Sequence, residues 1–400
     1  MKMRKIKLLF DVEQLATDGL KGTGIVRVAD VLLQGLVQKE GIDVYPIITS
    51  KRGDFDAYLK AKGLDTLLQD KIVYLPKLKA TTKQVHWYQK IRSFLLTKWY
   101  LRKYKKTLNG YDAYLSLFSP ISPIVYQSGI KTYMFIHDLI PIYYPKGCCP
   151  KFVEKFTSWI KNAKADGYFC VSSATIKDFL RFKKEGKKKK IFKVYLGASD
   201  YFKPTKDKAF LNALKEKYHI QTKNYFLAVS EITARKNLPH LLKSFVSFLD
   251  KTKLEDVSLV LVGPKREGYE ELTNQIKELS KYQEKIIQTG FVDEKELPLL
   301  YQGAVAFIYP SLYEGFGLPI LEAMQVGTPV ITADNTSLPE VGGDAVYYIT
   351  GTDEKETRLA LEKLYFDKNL NHHLRQKGLK RAQKFSWEKT INQVALKLQN

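Results

Sequence analysis

The stretch that most restricts the fold runs from Ala304 to Thr332, AVAFIYPSLYEGFGLPILEAMQVGTPVIT. It begins with an apolar run, Ala304–Tyr309, of the length of a buried strand. A polar loop follows, in which Gly315 and Gly317 flank Phe316. Pro319 sits where proline is tolerated, in the first turn of a helix. Gly327 stops that helix and Val330–Thr332 opens another strand. Strand, loop, helix and strand in this order make a parallel α/β unit. Its loop lies at the carboxyl end of the first strand, where open α/β sheets bind ligands.

Length and composition leave room for more than one such unit. A chain of 400 residues that is 44% hydrophobic holds two or three domains. No apolar run approaches transmembrane length. Met1–Lys7 is basic, but Leu8-Leu9-Phe10 ends at Asp11, which predicts a first strand and not a signal peptide. Three cysteines, with Cys148 and Cys149 adjacent, make no disulfide framework, and a reducing cytoplasm is the expected compartment. No Cys/His spacing fits zinc.

The formal charge of +23 is uneven. Residues 1–200 carry 37 Lys+Arg against 17 Asp+Glu, a net +20, and the remainder carries only +3. The first half is therefore expected to meet an anionic partner: a membrane surface, an acidic substrate or nucleic acid. From Lys71 to Tyr111 there are eleven basic residues and no acidic one. Aromatic and aliphatic side chains interleave with them, among them Trp87, Phe94, Trp99 and Tyr104. Such a pattern suits anionic lipid head groups, and residues 77–106 are assigned to a membrane surface. A helix with aromatics packed inward and solvated lysines is the alternative. Nucleic acid is disfavoured, since no zinc finger, RNP-like motif or arginine-rich helix is present.

Along the chain, strands are expected at Ile6–Asp11, Val44–Ile48, Ile72–Leu75, Ala113–Leu117, Tyr133–Ile136, Gly167–Val171 and Ile191–Tyr195. Helical spacing of apolar residues predicts helices at Ile25–Leu36 and Phe152–Ala163, and Ser172 begins a segment with N-cap chemistry. Gly197–Asp207, polar and containing Pro204, divides two α/β patterns. The expected domains are thus residues 1–200 and 208–385. The second pattern has strands at Tyr225–Val229, Ser258–Val262 and Ile286–Gln288 and a helix at Leu238–Leu249, with Asn237 as its N-cap. Ser386 caps a final helix.

Several residues have chemistry suited to a nucleotide sugar. Glu314 and Glu322 stand eight positions apart around the glycine loop. A helix N-terminus favours anionic oxygen, whereas a carboxylate repels it, so both glutamates are expected to face neutral hydroxyls. Glu322 as a helix-dipole partner is the alternative. Arg235 and Lys236 lie between a strand and a helix, where Arg grips phosphate in a planar fork and Lys adds a point charge. Gly22 and Gly24, between the first strand and helix, resemble a phosphate loop but lack its third glycine, Arg27 standing there instead. They equally suit a plain turn. His137 and Asp138 follow a strand into Leu-Ile-Pro. The only D-x-D, Asp54 to Asp56, lies in the other half from Glu314, so no metal site is expected.

The string E-G-F-G-L-P-I-L-E-A from Glu314, followed by G-T-P-V, resembles the E-x7-E donor motif of retaining glycosyltransferases of family 4, which have the GT-B fold. The resemblance extends more weakly over nearly the whole chain, through A-R-K-N-L-P at Ala234 and H-D-L-I-P at His137. It implies two Rossmann-like domains facing across a cleft, acceptor-binding first and donor-binding second, with helix 386–400 packing back on the first. Glu314 then contacts the donor sugar, Glu322 the ribose, and Arg235 and Lys236 the diphosphate, while His137 approaches the sugar and Asp138 orients its loop. Ser230, Gly263, Phe291, Val292, Gly315, Phe316, Gly317 and Leu318 join Gly22, Gly24 and Glu322 as donor-binding residues. The implied activity is transfer of a hexose or deoxyhexose, with GDP-mannose favoured and UDP- or dTDP-sugars open, to a glycan or lipid-linked glycan in cell-surface polysaccharide or lipopolysaccharide synthesis. No cofactor is implied. The expected location is the cytoplasm, at the inner face of the membrane. A sugar-phosphate synthase of the same fold and a basic nucleic-acid-binding protein are the rival readings.

Overall fold

The computed structural model describes the chain except residues 1–3, 19–23, 49–52, 76–94, 96–97, 100–101, 105–106, 185, 187–188, 206 and 265–267. The first sheet comprises β1 (Ile6–Asp11), β2 (Ile42–Ile48), β3 (Val73–Tyr74), β4 (Ala113–Ser116), β5 (Lys131–Ile136), β6 (Gly167–Cys170) and β7 (Lys190–Lys193). Their order is β3-β2-β1-β4-β5-β6-β7, parallel throughout. The second comprises β8 (Asn224–Val229), β9 (Val257–Val262), β10 (Ile286–Gly290), β11 (Ala306–Tyr309), β12 (Val330–Ala333) and β13 (Tyr347–Ile349). Its order is β10-β9-β8-β11-β12-β13, again parallel. Every residue of β4, β6, β9, β11 and β12 is buried. Helices cover both faces of such sheets, which is why these strands read as unbroken apolar runs.

Each sheet reverses its winding once, between β1 and β4 and between β8 and β11. These switch points leave a crevice beyond the carboxyl ends of the strands. The loop after β8 carries Arg235 and Lys236 and the loop after β11 carries Glu314, so the topology alone brings them together. The Leu318–Gln325 helix follows, with Gly317 as its N-cap at φ +110° and Pro319 in its first turn. Gly327, at φ +78°, ends it.

The Trp387–Gln399 helix leaves the second sheet and packs on the Gly24–Val37 helix of the first. Ser386 accepts from the Lys389 amide, as expected of its N-cap. Thr390 Oγ1 donates to the Tyr195 carbonyl at 2.6 Å, and Lys39 Nζ reaches Asn392 Oδ1 at 2.6 Å. Tyr195, Phe316 and Phe385 form an aromatic triad with ring centroids 5.4–6.1 Å apart. The two sheets therefore share a hydrophobic core through this triad and the returning helix.

Two local expectations change. The segment after β1 forms a short helix, Glu13–Asp18, that the apolar pattern does not predict. Asn237 precedes the Leu238–Thr252 helix but gives it no side-chain cap. It takes a left-handed φ of +59° and donates to the carbonyls of Gly351 and Pro310, tying three strand ends together.

Gly197 marks the place where the chain leaves the first sheet. A Cβ there would lie 2.3 Å from the Trp387 amide nitrogen, and backbone cannot yield as a side-chain tip can. Gly197→Ala is expected to destabilise by about 1–3 kcal/mol, as overpacking does. Gly378→Ala adds a methyl at ordinary contact distance from Met324, and helix propensity should raise stability by up to about 1 kcal/mol. Paired urea melts check both signs.

Candidate active site

The site is built on the loops after β8 and β11. A single helical turn, Ala234–Lys236, presents two cations. Arg235 Nη1 donates to Glu314 Oε1 at 2.6 Å and to the Tyr313 carbonyl at 2.7 Å. Lys236 Nζ reaches the same Oε1 at 2.6 Å. Tyr309 Oη and Ser311 Oγ donate to it at 2.8 Å and 2.6 Å. Lys236 Nζ also bonds the Tyr309 hydroxyl. Glu314 thus meets two hydroxyls and two cations at a single oxygen, and all three charges form one cluster.

Electrostatics follow from the burial of that cluster. Burial pushes Glu314 up, but Lys236 and Arg235 outweigh it and hold the carboxyl at about 2. Lys236 is lowered, by burial first and by the neighbouring Arg235, with Glu314 opposing. The cluster holds two cations and one carboxylate. The Asp138 carboxylate also acts on both cations, and Glu231 acts on Lys236. Among the described residues, Glu314 Oε2 has no hydrogen-bond partner.

His137 comes from the first sheet, at the end of β5. Its Nε2 lies 2.9 Å from the Leu117 carbonyl. A carbonyl can only accept, so Nε2 carries the proton and Nδ1 is left as an acceptor. The ring stacks on Phe135 at 5.6 Å. Burial lowers its pKa to about 4, so the ring is neutral at pH 7. Asp138 Oδ1 accepts from the Ile140 amide at 2.9 Å, which shapes the loop.

The glycines allow close approaches within the protein. A Cβ on Gly315 would lie 2.2 Å from the His137 carbonyl oxygen. The Gly315 carbonyl accepts from Ser172 Oγ at 2.7 Å and Thr175 Oγ1 at 3.1 Å. Gly315 therefore lets the loop after β11 press against the first domain. Gly263 similarly lets the ends of β8 and β9 meet, since its Cβ would lie 2.0 Å from the Ser230 carbonyl. Gly317 opens the helix beside Leu318. Gly24 begins its own helix with open space around it. Gly22 lies outside the described residues.

Glu322 is 5% exposed and bonds Arg27 Nη1 at 2.7 Å and the Tyr301 hydroxyl at 3.3 Å. It lies beyond the first helical turn and faces inward, so the placement expected of a helix-dipole partner is not found. Phe316 belongs to the aromatic triad and is buried, Val292 is buried, and Phe291 is 75% exposed. Sequence reasoning missed Tyr309, Ser311 and Tyr301 as partners of the glutamates. The first two carried a signal: polar groups at alternate positions, Tyr309 and Ser311, at the end of an apolar strand. Among the described residues no group of three or more His, Cys, Asp or Glu side chains is placed to hold a metal.

Residues 212–381 match the family described as Glycosyl transferases group 1. The chain is 35% identical over 180 residues to the O-antigen chain mannosyltransferase B of Escherichia coli, a match covering 45% of this chain and 46% of that one. It is 29% identical over 231 residues to the O-antigen chain mannosyltransferase RfbU of Salmonella typhimurium, covering 57% and 59%. The chain thus spans about half the length of these curated relatives. Among solved structures, the Anabaena HepE protein superposes with a TM-score of 0.72 at 16% identity, covering 98% of this chain and 99% of that one. WaaG, a glycosyltransferase involved in lipopolysaccharide biosynthesis, gives 0.65 at 14%, covering 98% of each. The likeness to these structures is one of fold. The match to the group 1 glycosyl transferases thus lies in the second domain, and the two parallel sheets form the GT-B fold.

Proposed function

We propose that the chain transfers a hexose or deoxyhexose, with mannose favoured, from a nucleotide diphosphate sugar to a glycan or lipid-linked glycan acceptor. The observation that carries this reading is the convergence of Arg235, Lys236 and Glu314 at the switch point of the second sheet. Arg235 and Lys236 offer charged N–H donors that suit a diphosphate. The carboxylate keeps Oε2 for a sugar hydroxyl. The names of the O-antigen relatives support mannose and a role in lipopolysaccharide synthesis.

The reaction proceeds with retention, by substitution on the face from which the diphosphate leaves. The bond from the anomeric carbon to the diphosphate oxygen breaks, and the acceptor hydroxyl oxygen bonds to that carbon. The departing diphosphate oxygen takes the hydroxyl proton. Arg235 and Lys236 stabilise the charge that develops on the leaving group, and being already in place they need little reorganisation. His137, neutral at pH 7, offers Nδ1 as an acceptor at the edge of the cleft. No cofactor and no metal take part: the cations and the helix N-terminus at Leu318 do the work of a divalent ion.

The protein works at an anionic membrane surface on the cytoplasmic side. Much of residues 77–106 lies outside the described residues. Within that stretch Leu95 and Trp99 are 58% and 54% exposed, with Lys103 Nζ 5.1 Å above the Trp99 ring. Among the described residues no helix is long and apolar enough to cross a membrane.

Arg235→Ala and Lys236→Ala should each lower kcat by the equivalent of about 2–4 kcal/mol, as loss of one oxyanion donor does. Glu322→Ala should mainly raise the donor KM, because the ribose is remote from the reacting carbon. Steady-state kinetics with a nucleotide-sugar panel decide this, and near-wild-type turnover in both cation variants would refute the diphosphate placement. Transfer should survive EDTA, and full loss restored by magnesium or manganese would contradict a metal-free reaction. In liposome sedimentation, binding should require anionic lipid, weaken with salt and fall when Arg102, Lys103, Lys105 and Lys106 are changed to Glu. Equal behaviour on neutral and anionic vesicles would remove the membrane role.

A further inference from the structure

Arg27 breaks a local rule. It stands in the first turn of the Gly24–Val37 helix, which has no acidic residue there. A cation in that position opposes the helix macrodipole, so the helix itself gives no reason for it. The reason lies across the cleft. Nη1 donates to Glu322 Oε1 at 2.7 Å, and Nη2 lies 2.9 Å from Glu294 Oε1. Glu322 belongs to the helix after the Glu314 loop, and Glu294 follows β10, two residues beyond Val292. One guanidinium from the first domain thus spans two carboxylates from two separate elements of the second. Its side chain is only 20% exposed and that of Glu322 only 7%.

We propose that Arg27 is a positioning residue that holds Glu322 and Glu294 together as the wall for the donor's ribose and ties that wall to the first domain. The inference rests on the donor reading above for its ribose half, and on the cross-cleft ion pairs alone for its domain half. Two carboxylates and one cation leave the wall net negative. Such a wall rejects phosphate and accepts hydroxyl donors, which is the chemistry of a sugar diol. Arg suits the position because a planar fork reaches both partners, whereas the ammonium of Lys is a single point.

Removing the guanidinium has two consequences. Glu322 and Glu294 then face each other without a counter-charge, which favours separation of the domains. Glu322 also becomes harder to ionise. The groups facing it are Arg27 from the Gly24–Val37 helix, Glu294 from the loop after β10, Tyr301 from the Leu297–Gly303 helix and, at longer range, Tyr309 from β11. Burial already pushes Glu322 up and Arg27 is what pulls it down. Without Arg27 a fall in pH protonates Glu322 and removes an acceptor from the ribose wall.

The test compares the full chain with its Arg27→Ala, Arg27→Lys, Glu322→Gln and Arg27→Ala/Glu322→Gln variants. Small-angle scattering of the protein alone should give a larger radius of gyration for Arg27→Ala, with unchanged far-ultraviolet dichroism. Replacing Glu322 and Glu294 by Gln in the same background should restore the compact value. In titrations with GDP, UDP and dTDP, Arg27→Ala should weaken the best ligand by about tenfold at neutral pH, a loss of about 1.4 kcal/mol. That gap should widen as pH falls and narrow as pH rises, following the ionisation of Glu322, which burial pushes up. Arg27→Lys should be intermediate, and Arg27→Ala should add little in the Glu322→Gln background. A pH-independent gap, or fully additive losses, would overturn the ribose half. An unchanged radius of gyration in Arg27→Ala would overturn the domain half. If the wild type bound none of the three nucleotides, the donor reading would fall and the ribose half with it, while scattering would still decide the domain half.

Discussion

The structure depends on one carboxylate oxygen. Glu314 Oε1 receives Arg235, Lys236, Tyr309 and Ser311. Two cations side by side in a buried loop repel each other and are costly to desolvate, unless a counter-charge and hydrogen bonds compensate them. Glu314 supplies that compensation and so fixes the loops after β8 and β11 relative to each other. The same contact keeps both cations at the carboxyl ends of β8 and β11.

Around that point the two domains are joined by contacts of different kinds. On one flank the Gly315 peptide is held against the His137 loop by Ser172 and Thr175. Farther out, Glu340 of the second domain accepts from the Ser173 amide, from Lys193 and from Tyr195. On the other flank Arg27 reaches Glu322 and Glu294. The aromatic triad of Tyr195, Phe316 and Phe385 fills the space between sheets and terminal helix. Apolar burial thus joins the domains near the returning helix, and ionic contacts join them at the cleft.

Much of this was legible in the sequence because parallel strands buried on both faces leave long apolar runs. β9 and β11 read as strands for that reason, and Pro319 and Gly327 bracket the helix between β11 and β12. The loop after β11 was legible because its glycines, proline and glutamates fall within a short span. What could not be read were partners distant along the chain. Arg27 and Glu322 are 295 residues apart, and no local pattern shows that they meet. The missing side chain of Gly315 makes room for the His137 carbonyl, and the Phe316 ring packs on Tyr195 and Phe385, contacts that no local pattern shows. Asn237 looked like a helix cap, but its side chain is drawn away to Gly351 and Pro310. There a tertiary contact decided the role of a residue whose local setting suggested another.

The central claim is that Arg235 and Lys236, poised by Glu314, meet the second phosphate of the donor. Isothermal titration of GDP against GMP and of UDP against UMP, on the wild type and on an Arg235→Ala/Lys236→Ala double variant, tests it most directly. The account predicts that the wild type prefers the diphosphate of whichever base it binds, and that the preference vanishes in the double variant while affinity for the monophosphate is largely kept. A diphosphate preference that survives the loss of both cations would contradict it.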